Sequence, residues 1–566
     1  MKIFLVNPKL LDFRTDEYDS SAVPIGLYYI GALLKTNGFD IEIVNLAVQE
    51  QPITYFRDRL CVAKPDIVAF SVLNANRFSA FEAAKETKQI NKNIKIVFGG
   101  PCATFLPEFL FKSLPELDYI VEGEGELTFL EIAEMVRSGK KDAIEDIQGI
   151  WFRKDGQITH TKSRELIDDL DKLPNPAQFF DFQHLSLSRG CPGKCQFCGS
   201  PKFWGKTNVR WHSAEWFVDQ IQLLYKKGIT HFYISDDTFT MDQKRVIEVC
   251  KVIVSRKLII TFAAISRVDF INEDVLFNMR KAGCVQISFG VESGSLKIRK
   301  NLGKPFSNEK IIQSFQLTLA YGILPRAYFI YGSPGETQAT IDESCELIAK
   351  IKPLSAIFYL LVIFPGTGLY DRLKERGLAK DEIWEEKIED IPWFDFDSGL
   401  CFEDVKLFGE NLRRVFYKNL DKFALDIKLV NNSELFSEHA KFLSRLGITF
   451  SHGEYAENKY VDNWDNKSIA EKLFIKALEY SHELDAYLGL GMLYQKKGKF
   501  NKAIFFLEKG LGYFSDSYDL HLCMGLCYMN IKEFRKALNF FNKFKDEPVM
   551  QQYVNICNQR IEYDQL

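Results

Sequence analysis

Ser188-Arg-Gly-Cys-Pro-Gly-Lys-Cys-Gln-Phe-Cys198 sets three cysteines, Cys191, Cys195 and Cys198, within eight residues, directly after a short apolar strand at His184–Leu187. Soft thiolates select iron–sulfur clusters or zinc. A closed structural metal site takes four ligands, and no fourth Cys or His follows at short spacing. Three thiolates on a four-iron cluster leave one iron open to a further ligand. Two alternatives stand beside this reading: three unrelated cysteines, or a zinc loop completed from far along the chain.

Outward from the triplet, strand and helix alternate in six units between His184 and Arg376. The predicted strands are His184–Leu187, His231–Ser235, Ile259–Ile265, Val285–Gly290, Arg326–Tyr331 and Ala356–Phe364. In parallel β/α barrels chemistry collects at the C-terminal strand ends. Those ends carry the Cys triplet, Asp236-Asp237, Ser266-Arg267, Glu292-Ser-Gly294, Gly332-Ser-Pro-Gly-Glu336 and Pro365-Gly-Thr367. Each alone reads equally as a helix cap or turn; six on one rim make a site.

Upstream, Met1 to about Gly139 alternates continuous apolar strands (Lys2–Val6, Ile41–Asn45, Ile67–Ser71, Ile94–Phe98, Tyr119–Val121) with helices at Gly26–Lys35, Ala80–Gln89 and Leu127–Val136. That pattern predicts a doubly wound parallel sheet, with ligands beyond the carboxyl ends of its strands. Ser71, Gly99-Gly100 and Glu122-Gly-Glu-Gly-Glu126 stand there; turns without a ligand are the bland alternative. Ile150–Ile158 reads as a hairpin turning at Asp155-Gly156, and a charged stretch, Arg164–Phe180, follows it. Beyond about Leu400 the sequence is helical. Gly491 and Gly525, Phe500 and Phe534, and Ala503 and Ala537 each lie 34 residues apart, the period of the tetratricopeptide repeat. The expected domains are 1–140 (doubly wound sheet), 141–182 (hairpin and connector), 183–400 (open partial (β/α)6 barrel), 401–465 (helical connector) and 466–562 (all-α repeats).

The Cys-x3-Cys-x2-Cys spacing with Phe197 before the last cysteine resembles the radical S-adenosylmethionine (SAM) superfamily. Ile234-Ser-Asp-Asp-Thr-Phe239, Phe289-Gly-Val-Glu-Ser-Gly294 and Ile330-Tyr-Gly-Ser-Pro-Gly-Glu-Thr337 resemble its cobalamin-dependent branch. Pro24-Ile-Gly-Leu27, Pro65-Asp-Ile-Val-Ala-Phe-Ser71, Val97-Phe-Gly-Gly-Pro101 and Asp118–Glu126 resemble the cobalamin-binding domain that precedes many radical SAM domains. The resemblance covers roughly the first 400 residues. It implies a 4Fe-4S cluster on Cys191, Cys195 and Cys198, with the open iron chelating SAM. It implies Phe197, Asp236, Arg267, Glu292 and Gly332 around SAM, with Asp236 near its amino group and Arg267 and Glu292 near its ribose and carboxylate. It also implies Ser71, Gly99, Gly100 and Glu122 around cobalamin. One departure matters: the family's cobalt-ligating Asp-x-His-x-x-Gly is missing, and the first histidine, His160, falls beyond the expected domain. Cobalt would carry no histidine from this domain, or the domain would be empty.

Composition agrees with a multidomain enzyme. The net charge of −4 gives no reason to expect bulk binding to nucleic acid or an anionic membrane. Met1–Pro8 is too short for a signal peptide, and the longest apolar run, Ala356–Phe364, is too short for a span. The twelve cysteines without secretory signals read as reduced thiols of a cytoplasmic protein. The expected activity is methylation of an unactivated carbon through a 5′-deoxyadenosyl radical and methylcobalamin. The alternatives are a non-methylating cyclisation, rearrangement or oxidation, and a non-catalytic cluster-containing scaffold acting through its repeats. Expected partners are a small-molecule or peptide substrate, a flavodoxin- or ferredoxin-like electron donor and a protein at the repeats.

Overall fold

The computed structural model describes residues 1–10, 22–205 and 209–563. Seven strands form the N-terminal sheet: β1 (Lys2–Asn7), β2 (Asp40–Asn45), β3 (Ile67–Ser71), β4 (Lys95–Gly99), β5 (Tyr119–Val121), β6 (Ile150–Lys154) and β7 (Gln157–His160), in the order β2-β1-β3-β4-β5-β6-β7. The first five are parallel, and the last two add antiparallel. Alternation along the strands divides the core. Ile3 and Leu5 pack with Leu27 and Leu34 of helix Ile25–Thr36 and with Phe129 and Ile132 of helix Glu126–Ser138. Phe4 and Val6 pack on the other face with Phe56 and Leu60 of helix Pro52–Ala63, which the sequence reading missed. Both faces being covered explains why these strands are apolar throughout.

The hairpin turns where expected, with Asp155 at φ 49° and Gly156 at φ 81°, the positive pair that a two-residue turn of right-handed twist requires. It is not a free-standing connector, however. Its strands close one edge of the N-terminal sheet, and His160 therefore belongs to that sheet.

In the second unit β8 (His184–Leu185) ends earlier than the apolar run suggested. The chain then pairs β9 (Ser188–Arg189) antiparallel with β10 (Arg210–Trp211). β11 (His231–Ile234), β12 (Thr261–Ser266), β13 (Cys284–Glu292), β14 (Leu324–Tyr331) and β15 (Ser355–Leu360) complete an open, wholly parallel six-stranded sheet in the order β15-β14-β13-β12-β11-β8. The predicted last strand is split. β16 (Val362–Ile363) leaves the barrel and pairs antiparallel with β17 (Ile391–Pro392). The segment around β17 returns to the N-terminal unit. There the buried Arg77 guanidinium donates to Trp384 O at 3.0 Å and Glu386 O at 2.9 Å, and Asn74 donates to Glu389 O.

The remaining chain is helical and continuous with the barrel core. Helix Phe402–Leu425 lays Phe416 against Phe358 of β15, and Phe442, Phe474, Leu490 and Leu507 extend the same core into the repeats. Gly491 admits Leu507, and Gly525 admits Phe541, the same contact repeated one period later. No helix among the described residues is long and apolar enough to cross a membrane.

Candidate functional site

The strand ends of the two sheets face each other across a cavity of about 700 Å3. From the N-terminal sheet Ser71, Gly99 and Gly100 line it as expected, joined by Asn74, Phe105 and Gly123–Glu126; from the barrel come Ser186, Arg189, Gly199, Ser200, Asp237 and Thr367. Its inner end runs between Leu5, Ala69 and Val97 of the sheet and Phe129 of the covering helix, a slot with backbone and apolar walls. Gly100 has φ 92°, and a Cβ there would sit 3.2 Å from Val72 N and 3.1 Å from Val72 O, so the turn requires glycine. A Cβ on Gly99 would meet nothing nearer than 3.9 Å, which leaves its backbone open to an approaching ligand.

Glu122 does not join them. Its carboxylate is taken by the hairpin: Trp151 Nε1 and Ser163 Oγ each donate at 3.1 Å, and His160 Nε2 lies 2.7 Å away, stacked on Trp151. The pairing of β5 with β6 brings Trp151 beside it and turns the side chain from the cavity. None of the residues described as lining the cavity is a histidine.

On the barrel rim, Cys191, Cys195 and Cys198 are half-buried in one loop. A Cβ on Gly193 would lie 3.2 Å from Cys191 Sγ, 3.7 Å from Cys195 Sγ and 3.2 Å from Arg267 Nη1. The glycine thus lets two thiols and a guanidinium crowd the inside of one turn. The loop is clamped from outside: Gln196 N donates to Leu302 O at 3.0 Å, Leu369 N donates to Gln196 O at 2.8 Å, and Gly303 packs directly on the Lys194 carbonyl. Three soft thiols on one loop, beside the cations Arg267 and Lys304, are a donor set that fits an iron–sulfur cluster. Burial pushes the Cys198 thiol up to about 11 and also raises Cys195, against the opposing pull of Lys304 and Arg267 on the latter. Phe197 packs into the core beneath the loop.

The other expected SAM residues divide. Arg267 and Glu292 lie close to the thiols. Arg267 holds Asp269 through two hydrogen bonds of 3.1 and 3.0 Å, with its guanidinium 4.8 Å from the Phe306 ring centre. Glu292 ends β13 at φ 66°, buried, and accepts from Lys304 Nζ at 2.6 Å. Lys304 was not anticipated: it is a buried cation beside Cys195, and its only sequence signal is a lysine amid helix-breaking glycine and proline. Asp236, by contrast, is used structurally. Burial pushes its carboxyl up to about 7, Leu187 N donates to one oxygen at 2.8 Å and Ser188 Oγ donates to the other. It pins the turn from β8 to the cluster loop, and its neighbour Asp237 faces the cavity, accepting from Ser200 Oγ at 2.6 Å. Gly332, at φ 77°, donates to Glu336 Oε2. Burial pushes the Glu336 carboxyl up to about 7; its Oε1 and Ser333 Oγ are buried without a partner, which leaves hydrogen-bonding capacity in this turn for a polar ligand.

Two further groups escaped sequence reading. Phe105, Phe203 and Trp204 line the cavity together: Phe203, just after the cluster loop, meets Phe105 edge-on at 6.3 Å, and Trp204 packs at right angles to Phe203. An ion network joins the two units: Arg189 Nη1 and Nη2 reach Glu124 and Glu126 at 2.7 Å each, and Arg210 Nη1 reaches Glu124 at 2.7 Å. Arg189 stands two residues before Cys191.

Comparisons with known proteins agree with this arrangement. The B12 binding domain matches residues 13–133, the radical SAM superfamily residues 185–348 and the tetratricopeptide repeat residues 484–516. An uncharacterised methyltransferase of Pyrococcus horikoshii is 31% identical over 400 residues, covering 68% of this chain and 86% of that one. The anaerobic magnesium-protoporphyrin IX monomethyl ester cyclase of Rubrivivax gelatinosus is 27% identical, covering 69% and 72%. The solved structure of TsrM from Kitasatospora setae, a radical SAM methyltransferase with cobalamin and a 4Fe-4S cluster bound, has a TM-score of 0.62 at 16% identity, covering 84% of this chain and 99% of that one, a likeness of fold. With a sheet of cobalamin-binding type, a three-cysteine barrel and a relative of this extent, the chain belongs to the cobalamin-binding radical SAM family.

Proposed function

We propose that the chain is a cobalamin-dependent radical SAM methyltransferase that methylates an unactivated carbon. The observation that carries this is the cavity: its walls come from glycine-rich strand ends of the cobalamin-type sheet and from the rim of the cysteine-bearing barrel. Cys191, Cys195 and Cys198 would hold the cluster; Arg267, the Glu292–Lys304 pair and the Gly332–Glu336 turn would hold SAM; Ser71, Gly99 and Gly100 would hold cobalamin. When bound, the cluster and SAM supply a carbon-centred radical, and cobalamin supplies the methyl group.

The protein's own part is placement and exclusion of water. Gly193 keeps the cluster turn tight. Lys304 sets a positive charge beside Cys195 and is itself neutralised by Glu292, so no net charge is buried. Phe105, Phe203 and Trp204 give the cavity an aromatic wall. The substrate is a small molecule or peptide, electrons come from a flavodoxin- or ferredoxin-like protein, the repeats offer a protein-binding surface, and the setting is the cytoplasm. The cyclase among the relatives favours a second reading, radical chemistry without methyl transfer.

Anaerobic purification with cobalamin supplied, followed by iron, sulfide and cobalt analysis, tests the proposal. About four irons and one cobalt per chain, with a product one methyl unit heavier, is the expected result. Iron without cobalt refutes it in favour of the second reading.

A further inference from the structure

The inner face of the open barrel is built for a ligand of its own. Phe232, Phe262, Phe289 and Phe329 point outward into the helix layer, so the alternate positions point inward. In a closed barrel such positions fill a core. Here Tyr233, Arg326, Tyr328 and Tyr359 are only half-buried, and Ser235 is exposed. The face is therefore an accessible trough.

Its chemistry has two parts. One part is aromatic: the His184 ring stacks on Tyr233 at 4.9 Å, and Tyr328 meets Tyr359 edge-on at 5.8 Å. The other is cationic. Arg326 stands level with Ser288 of β13 and Ser355 of β15 in the strand register, and its Nε donates to Ser355 Oγ at 3.0 Å. Its two terminal nitrogens have no hydrogen bond or ion pair to any described residue. Burial pushes the nearby Glu454 carboxyl up, against the pull of Arg326, and no hydrogen bond or salt bridge between described atoms joins the two.

We propose that this trough binds the substrate, and that the substrate is a planar aromatic molecule bearing an anionic group, the rings of Tyr233, Tyr328 and Tyr359 taking its face and Arg326 its carboxylate or phosphate. The inference rests on the radical SAM reading above and adds the substrate class. A guanidinium with two free N–H edges forms the bidentate pair that such anions prefer. Tyrosine rings contribute area and an offset or edge-on fit to another π system.

Saturation-transfer NMR and equilibrium dialysis on the full oxidised chain, with indole-3-acetate, indole and acetate as separate probes, test the assignment. Indole-3-acetate should bind at least tenfold more tightly than either fragment. Arg326→Gln should weaken it about tenfold while leaving indole unchanged, Arg326→Lys should recover part of the loss, and Tyr328→Leu should weaken both aromatic probes. Cobalt uptake by each variant reports that the chain still folds. Equal affinity for indole and indole-3-acetate, no binding of either, or no effect of Arg326→Gln in a folded chain would overturn the proposal. Reductive SAM cleavage, assayed on the same preparations after cluster loading, separates the two levels. Cleavage without aromatic-anion binding removes only this inference; absence of cleavage removes the reading beneath it.

Discussion

Replacing Arg189 with methionine removes the centre of the ion network between the two units. The Arg189 side chain is 10% exposed, and its partners Glu124 and Glu126 are 6% and 4% exposed. Methionine keeps much of the contact with the Tyr29 ring, which lies 4.8 Å below the guanidinium, so packing changes little. What remains is a charge imbalance: Glu124 keeps Arg210, while Glu126 loses the only cation paired with it among the described residues. Removing one partner of a buried pair costs about 3–5 kcal/mol, because the other charge stays desolvated. With a urea dependence of about 3 kcal/mol per molar, the first unfolding transition should move down by about 1 M or more, followed by tryptophan fluorescence. A pH series adds a signature. Burial raises the Glu124 carboxyl, but Arg210 and Arg189 together hold it below its ordinary value. Its stabilising contribution is therefore complete above the unfolded carboxyl value of about 4.3 and is lost as pH falls through the lower folded value. Arg189→Met should flatten that acid limb. A shift below about 0.3 M, roughly 1 kcal/mol, with an unchanged acid limb, would refute the view that this network fastens the cluster strand to the N-terminal sheet.

Cys195→Ala should abolish iron incorporation and SAM cleavage while leaving cobalt uptake largely intact, as measured by metal analysis. Gly100→Ala should do the converse: alanine at φ 92° costs about 1–3 kcal/mol, and its methyl presses on Val72, so cobalt uptake should fall at least tenfold with iron unchanged. Lys304→Met removes the cation beside Cys195 and strands buried Glu292, so the reconstituted cluster should show a more negative midpoint potential in an EPR-monitored titration. Phe474→Ala removes a fully buried ring seated against Gly447 and Gly489. At about 3–5 kcal/mol it should expose the junction near residue 480 to limited proteolysis while SAM cleavage persists.

The architecture was legible where burial is uniform. Apolar runs such as Ile3–Val6 and Ile67–Phe70 sit between two helix layers, and their hydrophobicity survives as a one-dimensional signal. Helix Pro52–Ala63 was missed because only Phe56 and Leu60 are buried in it, too few for a periodic stripe. Ala356–Phe364 read as one strand because its apolarity is continuous, although Leu361 turns the chain from one sheet to another. Spacing alone marked the cysteine triplet, since its three thiols lie in one loop. Asp236 and Asp237 show the opposite case: adjacent acids of equal promise face opposite ways, and only the hydrogen bonds to Leu187 and Ser188 tell which is structural. Glu122 was drawn off by a hairpin whose pairing partner no local pattern names, and Lys304 needed the fold to bring it beside Cys195.

The return of the chain from the barrel to Arg77 and Asn74 has a mechanical consequence. The barrel is tethered to the N-terminal sheet at both ends of its own sequence, by the hairpin side before β8 and by the strap around Trp384 after β16. Two attachments far apart in sequence restrict how far the units can part, since a movement at one must be matched at the other. The width of the cavity between the two sets of strand ends therefore depends on the strap around Trp384, held by Arg77, as well as on the chain that links the units before β8.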